Sequence, residues 1–344
     1  METKELIRRI QIKKKELGKK LVILTHHYQR KEIVDLGDFC GDSFALSAKA
    51  AKDKNAEYIV FCGVHFMAES AAILAQPHQI VQIPDTDAGC WMADMADSVL
   101  LEKAWTEITG IVKEEKIIPL VYMNSDAHIK AHCGRKNGII CTSSNAPKAF
   151  EWAYERGEKI FFFPDEHLGR NTGNILGIPK DEMIVWDHAK PLGGNSQESI
   201  KKAKVILWKG YCLVHTRFTT EQIMQMKEKY PDAKIVVHPE CTEDVVAMSD
   251  AVGSTSFIVN YVENAKKGSA IIIGTEINLV EKLGLEHKDK TIIPLKNSLC
   301  PNMFKINLEN LLYTLINIGI VNIVDIENSI KKDAKLALDR MLTL

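Results

Sequence analysis

The sequence predicts an α/β fold of three similar units, and two patterns carry that expectation. Short runs rich in Val, Ile and Phe alternate with segments of helical period, which is how βα units and parallel sheets read in a sequence. The same order of polar features also recurs three times along the chain, the mark of a repeated structural unit.

Taken in order, residues 1–19 alternate Lys and Arg with Glu on a helical repeat. They carry no apolar run and no small-residue cleavage site, so they read as a solvated amphipathic helix of a cytoplasmic protein rather than a signal peptide. Strands are expected at residues 21–25, 58–62 and 80–83, with helices at 45–53, 67–75 and 93–107. The middle third offers strands at 117–123, 160–163, 183–186 and 205–207. A helix at 220–229 leads to strands at 235–237, 270–273 and 291–294. The uncharged run at 310–324 is 15 residues long with three Asn, short of the roughly 20 apolar residues of a membrane span. No membrane segment is expected.

Composition narrows the function. The 344 residues are 46% hydrophobic and 26% charged, with 20 Gly and 11 Pro, as in globular rather than disordered chains. Forty-four basic residues against 45 acidic ones leave a net charge of -1, without the electrostatic footprint of nucleic-acid binding. Neither GxGxxG nor GxxxxGKS occurs, so the usual dinucleotide and ATP loops are missing. Eight cysteines stand at 40, 62, 90, 133, 141, 212, 241 and 300 with no CxxC pair; in a cytosolic chain most are expected as reduced, buried thiols.

The first strand of each third ends in a polar triplet: His26-His27-Tyr28, Tyr122-Met123-Asn124 and His238-Pro239-Glu240. A hydroxyl cluster follows each: Gly41-Asp42-Ser43, Thr142-Ser143-Ser144 and Gly253-Ser254-Thr255-Ser256. Each third then closes on a cysteine loop, at Cys90, Cys212 and Cys300. Ligand groups of parallel α/β units lie beyond the carboxyl ends of strands. Three such units facing one another would bring these features to one central cavity.

Three thiolates from three loops suit a zinc ion or a [4Fe-4S] cluster and leave one metal position open. Ser43 and Thr255 each precede an apolar helical stretch, so they read either as plain helix caps or as anion sites at helix N-termini. The pairs His26/Tyr28, Tyr122/Asn124 and His238/Glu240 are two apart and project to one side of an extended chain. They offer proton donors and acceptors, with Glu240 the preferred general acid/base. Asp165-Glu166-His167 reads as a structural turn, and His65, Met67 and Glu69 as capping and packing.

These residues lie within a signature that resembles the quinolinate synthases. It comprises His26-x-Tyr28, Gly41-Asp42-Ser43, residues 61–69, Ala88-Gly89-Cys90, residues 141–146, Pro164-Asp165-x-x-Leu168-Gly169, Cys212-x-Val214-His215, His238-Pro239-Glu240, residues 253–256 and Cys300-Pro301-x-Met303. The likeness spans about residues 20 to 310.

The resemblance implies three three-layer α/β/α domains with short parallel sheets, in pseudo-threefold arrangement around a central active site. They are expected at 20–105, 106–217 and 218–305, with 1–19 and 306–344 as flanking helices. It implies a transferase of NAD biosynthesis that condenses iminoaspartate with dihydroxyacetone phosphate to quinolinate. It also implies a [4Fe-4S] cluster on Cys90, Cys212 and Cys300 with one open iron. Implied substrate positions are His26, Ser43, Tyr122, Met123, Asn124, Ser143, His238, Pro239, Glu240 and Thr255, with Tyr28, Tyr122 and Glu240 catalytic and the histidines as charge-assisted donors. A functional link to an aspartate-oxidising enzyme follows from the unstable imine. The 122 residues from Cys90 to Cys212 exceed the shorter spacing of the family's compact members, with extra length near 134–137 and 179–203 in the second domain's periphery. Two rival readings share part of the site: another three-cysteine cluster dehydratase, and a zinc-stabilised binding protein for a phosphorylated metabolite.

Overall fold

A computed structural model describes residues 2–344. Its strands fall into three separate parallel sheets. The first contains β1 (Leu21–His26), β2 (Phe39–Gly41), β3 (Tyr58–Cys62) and β4 (Ile80–Gln82) in the order β2-β1-β3-β4. The second contains β5 (Ile117–Tyr122), β6 (Ile139–Cys141), β7 (Lys159–Phe163), β8 (Met183–Trp186) and β9 (Val205–Trp208), ordered β6-β5-β7-β9-β8. The third repeats the first with β10 (Lys234–Val237), β11 (Ala251–Val252), β12 (Ala270–Gly274) and β13 (Thr291–Pro294), ordered β11-β10-β12-β13.

The expected α/β architecture of three similar units is therefore present. β8 is an extra edge strand, and it falls in the longer segment noted at 179–203. The central strands are buried along their length, β1 and β5 at all six positions, because helices cover both faces of a parallel sheet. Their near-continuous Ile, Leu, Val and Phe content is what made them visible in the sequence.

Three strands escape a reading based on period: β2, β6 and β11, only two or three residues each. Each pairs in parallel with the first strand of its sheet, and the last pairs are His26 with Gly41, Tyr122 with Cys141, and Val237 with Val252. That common register sets each polar triplet beside its hydroxyl cluster. The helix expected at 93–107 is two helices, Trp91–Asp94 and Ser98–Thr109. The break comes from Asp97, whose carboxylate accepts the N–H groups of Val99 (2.8 Å) and Leu100 (3.2 Å) and starts a new helix.

The flanking segments fasten the domains. Helix Thr3–Leu17 buries Leu6 and Ile10 and packs on helix Leu308–Ile316. Helix Asn328–Leu342 lies along helix Ala127–Arg135 and the edge strand β6. Among the described residues no helix is long and apolar enough to cross a membrane. The run at 310–324 is instead part of Leu308–Ile316 followed by a turn, whose Ile323 bridges Gln82 at the edge of the first sheet.

The C-terminal helix approaches its partner most closely at Gly134, where a Cβ would collide with the backbone carbonyl of Asp333. Alanine ordinarily stabilises a helix interior relative to glycine by about 1 kcal/mol, but a backbone neighbour cannot swing aside. Gly134→Ala should therefore lower stability by about 1–3 kcal/mol, read as an earlier urea midpoint. A midpoint equal to or above wild type would show that the two helices slide apart freely.

Candidate active site

One cavity lies where the three sheets meet. Its lining takes His26, Tyr28 and Ser43 from the first domain, Tyr122, Asn124 and Ser143 from the second, and His238, Glu240 and Thr255 from the third. Cys90, Cys212 and Cys300 line it as well. Nine of the eleven non-cysteine positions expected from the sequence are thus brought together. Met123 and Pro239 do not line the cavity, since each sits between two cavity-facing residues and extended chain alternates sides. The Met123 sulfur accepts the Ser70 hydroxyl at 3.1 Å, and the Pro239 carbonyl accepts Asn171 Nδ2 at 2.9 Å.

The hydroxyl clusters are more than helix caps. The capping residues are Asp42 and Ser254, one position before Ser43 and Thr255, which begin their helices. Asp42 accepts the Ala45 N–H at 2.9 Å and the hydroxyls of Ser144 and Ser256 at 2.6 Å each. One carboxylate thereby ties together the corresponding loops of all three domains. Burial pushes its pKa up, but the Ala45 N–H and the two serine hydroxyls outweigh burial and hold it below the ordinary 3.8.

Glu240 is the centre of a second network. Its carboxylate accepts the Tyr122 hydroxyl through Oε1 and lies 2.7 Å from His215 Nδ1 through Oε2. His215 Nε2 lies 3.0 Å from the Thr275 hydroxyl, which is 2.8 Å from the Tyr28 hydroxyl. Thr255 donates to that same Tyr28 oxygen at 3.1 Å. Burial alone would raise the Glu240 pKa, but the adjoining His215 and His238 rings and the bonds from His215 and Tyr122 bring it below its usual range. Burial, reinforced by the Glu240 charge, keeps both tyrosines protonated far above 10.

The histidines His26 and His238 are each pushed down to about 3, chiefly by burial. They are neutral near pH 7, so the charge-assisted donation expected of them is replaced by neutral hydrogen bonding. His238 Nε2 lies 3.2 Å from Ser143 Oγ, and its Nδ1 accepts the Glu240 N–H at 3.3 Å. The His238 and His215 rings stack 4.3 Å apart. His215 and Thr275 were not singled out from the sequence as site residues. His215 stood inside the Cys212-x-Val214-His215 stretch, and Thr275 directly follows β12 at a strand's carboxyl end, where ligand groups gather.

The three cavity cysteines share one local geometry. Backbone N–H groups two and three residues further on point at each sulfur: Met92 and Ala93 at Cys90, Val214 and His215 at Cys212, Asn302 and Met303 at Cys300. Burial pushes all three thiols up, Cys90 to about 12, so a bound cation would be needed to hold them as thiolates. All eight cysteines are free. Cys62, Cys133, Cys141 and Cys241 are buried elsewhere, and Cys40 is half-buried outside the cavity lining.

A tighter ligand set also exists, Cys212 with His215 and Glu240, whose ligand atoms lie within 4.8 Å of one another. Asp165 joins no metal-ligand set among the described residues. It caps helix Glu166–Ile175 by accepting the Leu168 N–H at 2.8 Å, as expected of a structural turn.

Known proteins resemble this chain over nearly its whole length. The profile of the family described as quinolinate synthetase A protein matches residues 8–343. A quinolinate synthase of Corynebacterium glutamicum is 46% identical over 345 residues, covering 99% of this chain and 88% of that protein. One from Geobacillus thermodenitrificans is 48% identical over 350 residues, covering 100% and 95%.

The Asp42 junction makes a direct test of how the cavity wall is held. Asp42→Ala removes one cap and two charge-assisted bonds and should lower stability by about 3–5 kcal/mol. Asp42→Asn, keeping one acceptor oxygen, should recover part of it. Because the folded pKa is depressed, the contribution is present above the ordinary 3.8 and fades as pH falls through the lower folded value. Chemical unfolding at pH 7 checks this, and an unshifted midpoint for Asp42→Ala would leave packing alone to join the three loops.

Proposed function

The chain belongs to the quinolinate synthase family, and on that premise we propose that its cavity condenses iminoaspartate with dihydroxyacetone phosphate. The products are quinolinate, phosphate and water, on the de novo route to NAD. The observation that carries this reading is the set of three free cysteines, one per domain, each with two backbone N–H groups aimed at its sulfur on the wall of one polar cavity.

That donor set fits a [4Fe-4S] cluster held by Cys90, Cys212 and Cys300, since N–H groups directed at sulfur stabilise cluster thiolates. When bound, such a cluster supplies an iron without a protein ligand, a Lewis acid for a substrate oxygen. The Cys212, His215 and Glu240 set fits a single ion less well. Both His215 ring nitrogens are engaged, with Glu240 and with Thr275, and ligation would break one of those bonds.

The chain's own residues divide the remaining work. Ser43, Ser143, Thr255 and Asn124 bring hydroxyl and amide groups into the cavity and suit carboxylate and phosphate oxygens. Glu240, an ionised carboxylate, takes a proton from substrate and returns it to a leaving group. Tyr122 and Tyr28, kept protonated by burial and by the Glu240 charge, donate hydrogen bonds to developing negative charge. His26 and His238 present neutral rings that add contacts without adding charge. The imine substrate, short-lived in water, is supplied by an aspartate-oxidising enzyme.

Anaerobically purified wild type should carry about four iron and four acid-labile sulfide per chain. Ala variants at Cys90, Cys212 or Cys300 should lose both, while Cys62→Ala keeps them. Zinc in place of iron, or metal lost with His215→Ala but kept in Cys90→Ala, would favour the single-ion site instead. Glu240→Gln should keep the iron and slow quinolinate formation by about 10²–10⁴-fold. Wild-type turnover in that variant would remove Glu240 from the chemistry.

A further inference from the structure

Among the described residues no lysine or arginine lines the cavity, and burial keeps its His26 and His238 neutral. The wall nevertheless carries the ionised Asp42 and Glu240, together with three cysteines that become thiolates when they ligate a metal. Positive charge for this site has to come from behind the wall.

Lys130 is placed there. It lies on helix Ala127–Arg135 and is fully buried. Its ammonium donates to the carbonyl of Ser125, the residue after Asn124, and stands 5.6 Å from the centroid of the Phe66 ring. Phe66 lines the cavity, so it adjoins both the ammonium and the site. The Phe66 helix, His65–Leu74, is in turn fastened to the Cys90 loop, because the His65 N–H donates to the Ala88 carbonyl at 2.7 Å.

The partners of this ammonium are unusual for a buried charge. A buried cation is strongly disfavoured unless an anion is paired with it, yet among the described residues no carboxylate lies within 4.0 Å of the Lys130 nitrogen. Three negative groups act on it through space: Glu69 on helix His65–Leu74, Asp126 at the start of its own helix, and Cys90 on the cavity wall. Glu69 is itself buried, which raises its pKa, and its Oε2 has no hydrogen-bond partner. Burial outweighs all three groups and brings Lys130 down to about 8. It is thus mostly a cation near pH 7, and one that the chain's own carboxylates compensate only in part.

Building on the quinolinate synthase reading, we infer that Lys130 supplies the positive charge that offsets the cluster thiolates and lets the cavity hold a cluster and an anionic substrate together. It acts by charge, from behind Phe66, and touches neither. A cation near Cys90 favours its thiolate form. Reducing a cluster adds one negative charge, so the reduction equilibrium reads the electrostatic potential at the site.

Lys130→Met removes the charge at similar length, Lys130→Gln removes it but keeps a donor for the Ser125 carbonyl, and Lys130→Arg keeps the charge. Cluster reduction in anaerobically purified protein, followed by electron paramagnetic resonance against applied potential, gives the readout. Both neutral variants should keep about four iron per chain. They should be about tenfold harder to reduce, a shift of about 59 mV to more negative potential for one electron. Lys130→Arg should stay within about threefold of wild type. Neutral variants that fold without assembling a cluster, beside a loaded arginine variant, would support the same role. Wild-type potentials in loaded Lys130→Met and Lys130→Gln, an arginine variant shifted as far as they are, or loss of iron from all three, would overturn it. A wild type without iron and sulfide would overturn the cluster reading itself, whereas a loaded wild type beside unshifted neutral variants removes only the role of Lys130.

Discussion

Everything in this cavity depends on one repeated register between parallel strands. In each sheet the first strand and its short edge partner end together, at His26 with Gly41, Tyr122 with Cys141, and Val237 with Val252. Because the pairing is parallel, both chains leave the sheet at the same end. The polar residues that follow one strand emerge beside the hydroxyl residues that follow the other. A slip of one residue would turn every one of these side chains to the opposite face, and a slip in one sheet would leave one third of the cavity wall without its donors.

Three such ends still need a reason to stay together, and ionic hydrogen bonding supplies it. Asp42 accepts from Ser144 and Ser256, so a single charge on the first domain is stabilised by hydroxyls from the other two. Glu240 repeats the arrangement from the third domain, with Tyr122 and His215 from the second. A buried carboxylate without such partners would take up a proton instead. The two charges are solvated by partners from more than one domain in the arrangement that forms the cavity. His26 and His238 are neutralised by the same burial, so the anions at the seam belong to Asp42 and Glu240.

Much of this was legible in the sequence, for reasons that also explain what was not. Buried parallel strands read as unbroken Ile, Val, Leu and Phe runs, so ten of the thirteen strands were visible, including β8 with its inserted segment. β2, β6 and β11 were not read because two or three residues show no period, and the equally short β4 was read within the longer apolar run 80–83. Polar residues directly after strands could be picked out, and nine of those expected positions line the cavity. Met123 and Pro239 were swept in with their neighbours, although alternation along an extended chain turns them away. The split of 93–107 into two helices turned on Asp97, an N-cap hidden inside an otherwise helical pattern. The joining of three domains by Asp42 could not be read at all, because its partners are 102 and 214 residues away.

The residues missed share a position rather than a type. His215 and Thr275 both stand at the junction between domains: Thr275 joins Tyr28 of the first domain to His215, and His215, itself on the cavity wall, joins Thr275 to Glu240. A sequence shows which side chains carry chemistry, since Cys, His, Glu and Tyr announce themselves. It does not show which of them share a partner, and sharing is what turns separate groups into a hydrogen-bonded network. Thr275 is the sharpest case: a threonine after a buried strand is unremarked in any composition or motif. Yet Tyr28 and His215 both hydrogen-bond to it, which joins Tyr28 to the His215–Glu240 pair. The chemistry of this cavity is therefore set as much by where three sheets allow their strand ends to touch as by the residues those strands carry.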